Sequence, residues 1–183
     1  MGADSRKVGG ENSTEPPPFA DTPPSPVARV RHGAARDAAA LRDLVAALNR
    51  DQGDPDDLLT TEALRRDLIG QAIVIVAEAP DGALVGYATG HATYETGHAE
   101  KGIYIGDLYV APDHRRKGIA RALLAAMARA GYAQGARHLW LTAREGNTAA
   151  HAFYRRLGSK GERVMAFAVV YQDFLNLAAE KPR

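Results

Sequence analysis

The residues whose types and spacing best suit chemistry lie between a predicted strand and a predicted helix, in the segment Asp107–Arg121. A basic, glycine-containing loop opens directly into a helix, where several backbone N–H groups lack intrahelical acceptors and the helix dipole adds positive potential. We therefore predict that this turn binds an anion, with Gly118 and Ala120 allowing close backbone approach. The cations available to neutralise phosphate charge are Arg115, Arg116, Lys117 and Arg121. The alternative is a solvated basic helix start, and the spacing fits neither a Walker loop nor the dinucleotide fingerprint.

A second segment, Asn147–Gly158, places polar and aromatic groups at helical spacing. Asn147, either Ala150 or His151, and Tyr154 recur every three or four residues, so they line one face of a helix. A phenol with a pKa of about 10 is a suitable proton donor for a leaving group. The alternative for Tyr154 is a core side chain packed beside its apolar neighbours.

Asp107 is a carboxylate in the middle of a predicted strand of apolar residues. Such a group is unfavourable unless it is paired, which makes it a candidate base for removing a proton from an incoming ammonium. A carboxylate that merely bonds a neighbouring backbone group or arginine is the equal alternative. The sequence has no cysteine and no His/Asp/Glu set with metal-ligand spacing, so we predict no metal site.

The elements that would position these groups alternate between strand and helix periodicity. The sequence predicts strands at 29–31, 72–77, 84–94, 102–110, 138–143 and 165–170, and helices at 35–49, after Thr60-Thr61, at 119–131 and at 147–157. Pro80-Asp81-Gly82 predicts a turn that joins two of the strands as a hairpin. This order predicts an α/β domain of three layers, with a mixed central sheet flanked by helices.

Length and composition indicate the domain organisation and exclude several classes of partner. Residues 1–27 are rich in proline and poor in large apolar side chains, so we predict a disordered tail followed by one domain at 28–183. A net charge of +1 predicts no nucleic-acid partner. There is neither an apolar run long enough for a membrane span nor a secretory h-region, so we expect a cytoplasmic protein without a membrane partner.

The segment Arg115-x-x-Gly118-x-Ala120 resembles the R/Q-x-x-G-x-G/A signature of the GNAT superfamily of acetyltransferases. The resemblance extends over about 28–180 and implies the GNAT (acyl-CoA N-acyltransferase) fold, with acetyl-CoA as co-substrate. It implies that the turn binds the pyrophosphate and that the preceding strand pairs with the pantetheine arm. The implied cofactor-binding residues are Leu108, Tyr109, Val110, Arg115, Arg116, Lys117, Gly118, Ile119, Ala120, Arg121, Asn147 and Ala150.

The second segment resembles the family's N-x-x-A-x-x-F-Y-x-x-x-G motif, in which the Asn contacts the cofactor arm and the Tyr faces its sulfur. This implies that Tyr154 is the general acid. The stretch 102–120 looks closest to the diamine and polyamine acetyltransferase branch, whose strand reads I-Y-L-E-D-L-Y-V. Gly106 stands where that branch has a water-activating Glu, so either Asp107 is the base, water relays the proton, or the substrate differs.

The resemblance to that branch implies direct attack on acetyl-CoA by a primary amine of a small polycation, such as a diamine or polyamine, in a ternary complex, and a homodimer. It implies that Tyr94, Glu95 and Tyr104 line the acceptor pocket, and Asp54 lies in an acidic loop that would attract cations. The aminoglycoside 3-N-acetyltransferases have a similar turn and are the main alternative. Protein or peptide N-acetylation and a non-catalytic acetyl-CoA-binding module are the others.

Overall fold

The computed structural model describes residues 27–180, which divide into two compact units at Leu141. The unit 27–141 contains a sheet, and the unit 142–180 is helical. All but the last residue of the predicted tail, and the three residues after Glu180, lie outside the described part of the chain.

The sheet of the first unit has five strands in the order β1-β2-β3-β4-β5. They are β1 (Arg29–His32), β2 (Ile73–Glu78), β3 (Leu84–Glu95), β4 (Glu100–Val110) and β5 (His138–Leu141). The first four pair antiparallel, and β5 pairs parallel to β4, so the predicted mixed sheet is confirmed. The predicted hairpin joins β2 to β3, and Gly82 in its turn has a positive φ of 87°.

Two helices pack on one face of the sheet. α1 (Ala38–Gln52) follows a short 3-10 turn, and α2 (Thr61–Ala63) continues into a π turn at Leu64–Leu68. Thr60 caps α2, because its hydroxyl accepts a hydrogen bond from the Ala63 N–H at 3.1 Å. The buried cluster on this face comprises Ala38, Leu41, Leu44, Leu64, Val74, Val76, Tyr87 and Tyr109.

One long helix packs on the opposite face. α3 (Ile119–Ala133) buries a stripe at helical spacing, Ile119, Leu123 and Met127, and each of these is at most 1% exposed. A β-carbon at Gly90 of β3 would lie 2.6 Å from Met127 Sδ, so the helix lies directly on the sheet. Helix, sheet and helix therefore form the three layers that the sequence predicts.

The second unit contains α4 (Thr148–Arg156) and α5 (Tyr171–Ala178). The predicted strand at 165–170 is wrong, because this segment has no regular structure and exposes Met165 and Phe167. A strand needs a neighbour to pair its backbone groups, and unit 142–180 holds no other strand. No helix within residues 27–180 is long and apolar enough to cross a bilayer.

Candidate active site

The outer edge of β4 is open over its last residues. The ladder to β5 runs from Gly102↔His138 to Ile105↔Leu141, whereas β4 continues against β3 as far as Val110. Hydrogen-bonding direction alternates along a strand, and the Ala111 N–H donates to Val85 O, so Leu108 and Val110 direct their backbone groups away from β3. No strand among residues 27–180 covers that edge. An extended ligand with amide groups can therefore pair there.

The turn after β4 presents the N-terminus of α3. Gly118 is the N-cap residue with a φ of 81°, and the Ala122 N–H donates to its carbonyl at 3.1 Å. The N–H groups of Ile119, Ala120 and Arg121 thus precede the first intrahelical donor and have no acceptor within the helix. A β-carbon built on Gly118 would meet nothing within 4 Å, so the space beside this residue is open.

The cations of the turn have two different roles. Arg115 is held in place, because its Nε donates to Val110 O at 2.8 Å, its Nη2 pairs with Asp51 at 2.8 Å, and its guanidinium lies over the Tyr109 ring. By contrast, Arg116, Lys117 and Arg121 are exposed, and no carboxylate within 27–180 forms an ion pair with them. Three exposed cations at a helix N-terminus suit a multiply charged anion such as a diphosphate.

Asp107 lies at a β-bulge between β3 and β4. The register shifts from Ala88↔Leu108 to Gly90↔Ile105, so Thr89 alone faces Gly106 and Asp107. The Asp107 N–H donates to Thr89 Oγ1 at 2.9 Å, and Thr89 Oγ1 donates to Asp107 Oδ2 at 3.2 Å. The partner of this carboxylate is therefore a hydroxyl, and the arginine of the turn is paired with Asp51 instead.

Burial governs the electrostatics of this carboxylate. It raises the pKa of Asp107, while the Thr89 hydrogen bond and the nearby His91 act in the opposite direction. Tyr87 beside it is fully buried, its Oη has no hydrogen-bond partner within 27–180, and burial together with Asp107 raises its pKa. A carboxyl with a raised pKa is better matched to accept a proton near neutral pH than an exposed one.

Aromatic side chains share the sheet face of Asp107. Tyr104 lies directly opposite His91 on β3 and Trp140 on β5, and the Tyr104 and Trp140 ring centroids are 5.3 Å apart. Trp140 is 53% exposed. Rings and a carboxylate on one face form a surface that attracts cations, including ammonium groups. Thr89, His91 and Trp140 were not predicted from the sequence, although period-two alternation along β3 and β5 places them on this face.

The other predicted acceptor residues lie elsewhere. Tyr94 lines a groove of about 310 Å³ with Ile103 and Gln134, on the α3 face near the C-terminal end of that helix. Glu95, paired with His98 at 2.9 Å, stands six residues beyond Thr89, roughly 20 Å along the strand. Asp54 is exposed in the loop after α1. The structure thus places Tyr104 on the face of Asp107 and does not bring Tyr94 or Glu95 to it.

In the second unit, Asn147 is the N-cap residue of α4. Its Oδ1 accepts a hydrogen bond from the Ala150 N–H at 3.1 Å, and its amide NH₂ takes no part in this cap. Tyr154 lies two turns along the same helix with its ring 5.2 Å from that of Phe153, and burial raises its pKa. The phenol is therefore protonated at neutral pH, as a proton donor must be.

Within 27–180 no group of three His, Asp or Glu side chains is arranged to hold a metal ion. Within residues 27–141, the groups suited to chemistry are backbone donors, cations and one half-buried carboxylate, and the unit 142–180 contributes, by itself, the phenol of Tyr154. Such groups can bind a diphosphate, pair with an extended amide chain and move protons.

Comparison with known proteins identifies relatives of this chain. It is 40% identical over 83 residues to the streptothricin acetyltransferase of Streptomyces lavendulae, a match that covers 45% of this chain and 42% of that protein. The match therefore spans less than half of this relative.

Solved structures match over more of the chain. An aminoglycoside acetyltransferase from an uncultured soil metagenomic sample is 27% identical with a TM-score of 0.67, covering 79% of this chain and 99% of that one. AAC(6')-Iy in complex with a bisubstrate analogue of CoA shares the fold, at 24% identity and a TM-score of 0.66, covering 77% and 97% of the two chains.

A family model also matches residues 39–159, which include the open edge of β4, the turn at Gly118 and Tyr154. This match covers more than half of the chain. The chain therefore belongs to the acetyltransferase (GNAT) family.

Proposed function

We propose that the protein transfers an acetyl group from acetyl-CoA to a primary amine of a small polycationic molecule. The observation that carries this proposal is the junction of the open β4 edge with the open N-terminus of α3 at Gly118. Membership of the acetyltransferase family supports the acetyl transfer itself.

The residues at this junction fit acetyl-CoA. The unpartnered N–H groups of Ile119, Ala120 and Arg121 and the exposed cations would hold the pyrophosphate. The outward N–H and C=O of Leu108 and the N–H of Val110 would pair with the amide-containing arm, since the Val110 carbonyl already accepts a hydrogen bond from Arg115. Asn147 would add a contact through its free amide NH₂, since its oxygen is already used in the helix cap.

The chemistry needs one base and one acid. When bound, acetyl-CoA supplies an activated acetyl thioester. Asp107 accepts a proton from the acceptor's ammonium, so the neutral amine nitrogen can form a C–N bond with the acetyl carbon as the C–S bond breaks. Tyr154 would donate its proton to the departing sulfur, which leaves as a thiol, and the second proton lost by the acylated nitrogen would restore the Tyr154 phenol. The raised pKa values of both groups, caused by burial, suit these roles.

The acceptor is a cation because the face that carries Asp107 also presents the Tyr104 and Trp140 rings. The sequence pattern of β4 favours a diamine or polyamine. The named activities of the relatives, streptothricin and aminoglycoside acetylation, favour an amine-rich antibiotic instead. Both classes are polycations, and the amine panel below separates them.

The test is a thiol-release assay with acetyl-CoA against spermidine, putrescine, gentamicin, streptothricin, a lysine analogue and an N-terminal peptide. We expect turnover of at least one small polyamine or antibiotic and none of the peptide. Replacing Tyr154 by Phe should lower kcat by at least about tenfold while leaving the Kd for coenzyme A unchanged.

Tyr171→Phe is the matched control, because Tyr171 lies in the same unit, is exposed and is assigned no role. It should leave kcat unchanged. Turnover of the peptide alone would favour protein acetylation, and tight coenzyme A binding without turnover of any amine would favour a non-catalytic module; either result would overturn the proposal.

A further inference from the structure

The hydroxyl of Thr89 both accepts and donates a hydrogen bond at the bulge. It accepts the Asp107 N–H at 2.9 Å and stands 3.2 Å from the same residue's Oδ2. Because its lone pair faces a fixed N–H, its single proton is directed to the carboxylate. Thr89 is 1% exposed, so its hydroxyl is shielded from water, whereas the Asp107 carboxylate is half-buried.

Gly106 makes room for this arrangement. A β-carbon at Gly106 would lie 3.0 Å from Thr89 Oγ1, its only neighbour within 4 Å. Both residues of such a bulge project toward the same face, so Asp107 occupies the face that a side chain at Gly106 would otherwise fill. Gly106 carries no carboxylate, but Asp107 presents one on the same face, and Thr89 donates a hydrogen bond to it.

We propose that Thr89 is a positioning residue whose hydrogen bonds orient the Asp107 carboxylate toward the acceptor amine. This inference rests on the proposed function, since it assigns Asp107 as the base. Thr89 itself contacts no reacting atom and acts through the carboxylate.

Among the side chains around Asp107, Thr89 is the neutral one that donates a hydrogen bond to the carboxylate. From β3 come His91 and the phenol of Tyr87, and from β4 comes Tyr109 with Arg115 above its ring. α1 adds the apolar side chains of Ala38, Leu41 and Leu44 to the cluster around Tyr87 and Tyr109, and its Asp51 carries a charge that pairs with Arg115. Burial favours the neutral carboxyl, and the Thr89 bond opposes this by lowering the pKa of Asp107.

The experiment compares Thr89→Val, which removes the hydroxyl at constant shape, with Thr89→Ser, which retains it. The readout is the pH dependence of kcat/KM for the best amine of the panel. Loss of the bond raises the pKa of Asp107, so the acidic limb of Thr89→Val should move up by about one pH unit. Activity on that limb should fall about tenfold, with the KM for acetyl-CoA unchanged, and Thr89→Ser should follow the wild type.

Two further variants test whether Thr89 acts through the Asp107 carboxylate. In an Asp107→Asn background the Thr89→Val change should have no additional effect, because the base that it positions is gone. Gly106→Ala crowds the hydroxyl without removing it and should move the acidic limb in the same direction as Thr89→Val, which covers the case in which that variant does not fold.

An active wild type whose acidic limb is the same in Thr89→Val and Gly106→Ala would overturn the positioning role alone. A wild type that releases no thiol with any amine would instead overturn the proposed function.

Discussion

Gly118 combines two properties that a larger residue could not supply together. Its φ of 81° lies in the left-handed region, where a residue with a β-carbon is strained. Its position leaves open space over the first N–H groups of α3, so an anion can approach the backbone itself. The turn thus binds through amides, and the surrounding cations add charge neutralisation.

Replacing Gly118 by Glu should remove measurable coenzyme A binding in calorimetry. The substitution adds backbone strain of about 1 kcal/mol and places a negative charge where the diphosphate would lie. Gly118→Gln is the matched control, since it brings the same strain and nearly the same bulk without the charge, and it should retain measurable binding of coenzyme A. Wild-type affinity in both variants would contradict the phosphate assignment of this turn.

At the scale of the element, α4 depends on Asn147 for its first turn. Removing an N-cap side chain of this type typically costs about 1 kcal/mol. Asn147→Ala should therefore lower the free energy of unfolding by that amount in urea titrations, and it should also weaken coenzyme A binding. Asn147→Asp keeps an oxygen for the Ala150 N–H but loses the amide NH₂. The Asp variant should be as stable as the wild type and still bind coenzyme A less tightly; equal affinity would restrict Asn147 to the cap.

The elements around Gly118 could be predicted from the sequence, whereas the contacts between distant strands could not. The strand, turn and helix around Gly118 could be predicted because their signals are local: apolar alternation, a basic glycine loop and a stripe ending in Met127. The partner of Asp107 could not, since Thr89 is eighteen residues away and meets it only through the β3–β4 register and its bulge. Tyr104 was found through the resemblance, whereas Trp140 needed the parallel pairing of β5.

Helix and strand ends differ from the predicted ones by up to three residues, as for α1, whose predicted first turn is 3-10. The apolar run at 165–170 was predicted as a strand from its composition alone. Composition cannot supply a pairing partner, and unit 142–180 contains none.

At the scale of the whole molecule, one ion cluster ties the start of the described chain to the sheet. Arg31 on β1 binds both Asp37 oxygens, at 2.7 and 2.9 Å, and also bonds Glu78 on β2 at 2.7 Å. Asp37 in turn accepts the Ala34 N–H at 2.8 Å and is only 6% exposed. The strand, the 3-10 turn before α1 and the second strand are thus joined through side chains of low solvent exposure.

This cluster predicts how the stability of the first unit depends on pH. The hydrogen bond from Arg31, opposed by burial, holds the pKa of Asp37 below its ordinary value. A carboxyl with a lowered folded-state pKa contributes stability that is fully present above its unfolded pKa of about 3.9 and is lost as the pH falls through the folded value. Asp37→Asn should therefore lower the free energy of unfolding at pH 7 by about 3 kcal/mol, because the mostly buried guanidinium of Arg31 loses one of its two carboxylate partners. The difference from the wild type should shrink in urea titrations below about pH 4.

Asp43→Asn is the control for this experiment, since its pair with Arg42 is exposed and should change stability little at any pH. Parallel stability curves for the wild type and Asp37→Asn down to pH 3 would show that the charge of Asp37 is not the source of the effect. We expect the stability curves of the wild type and Asp37→Asn to converge on acidification, and those of the wild type and Asp43→Asn to stay alike at every pH. This result would assign the acid sensitivity of the first unit to the ion cluster that joins β1, the turn before α1 and β2. The substitutions at Gly118 and Thr89 should leave that sensitivity unchanged, because neither residue contacts the Arg31 cluster.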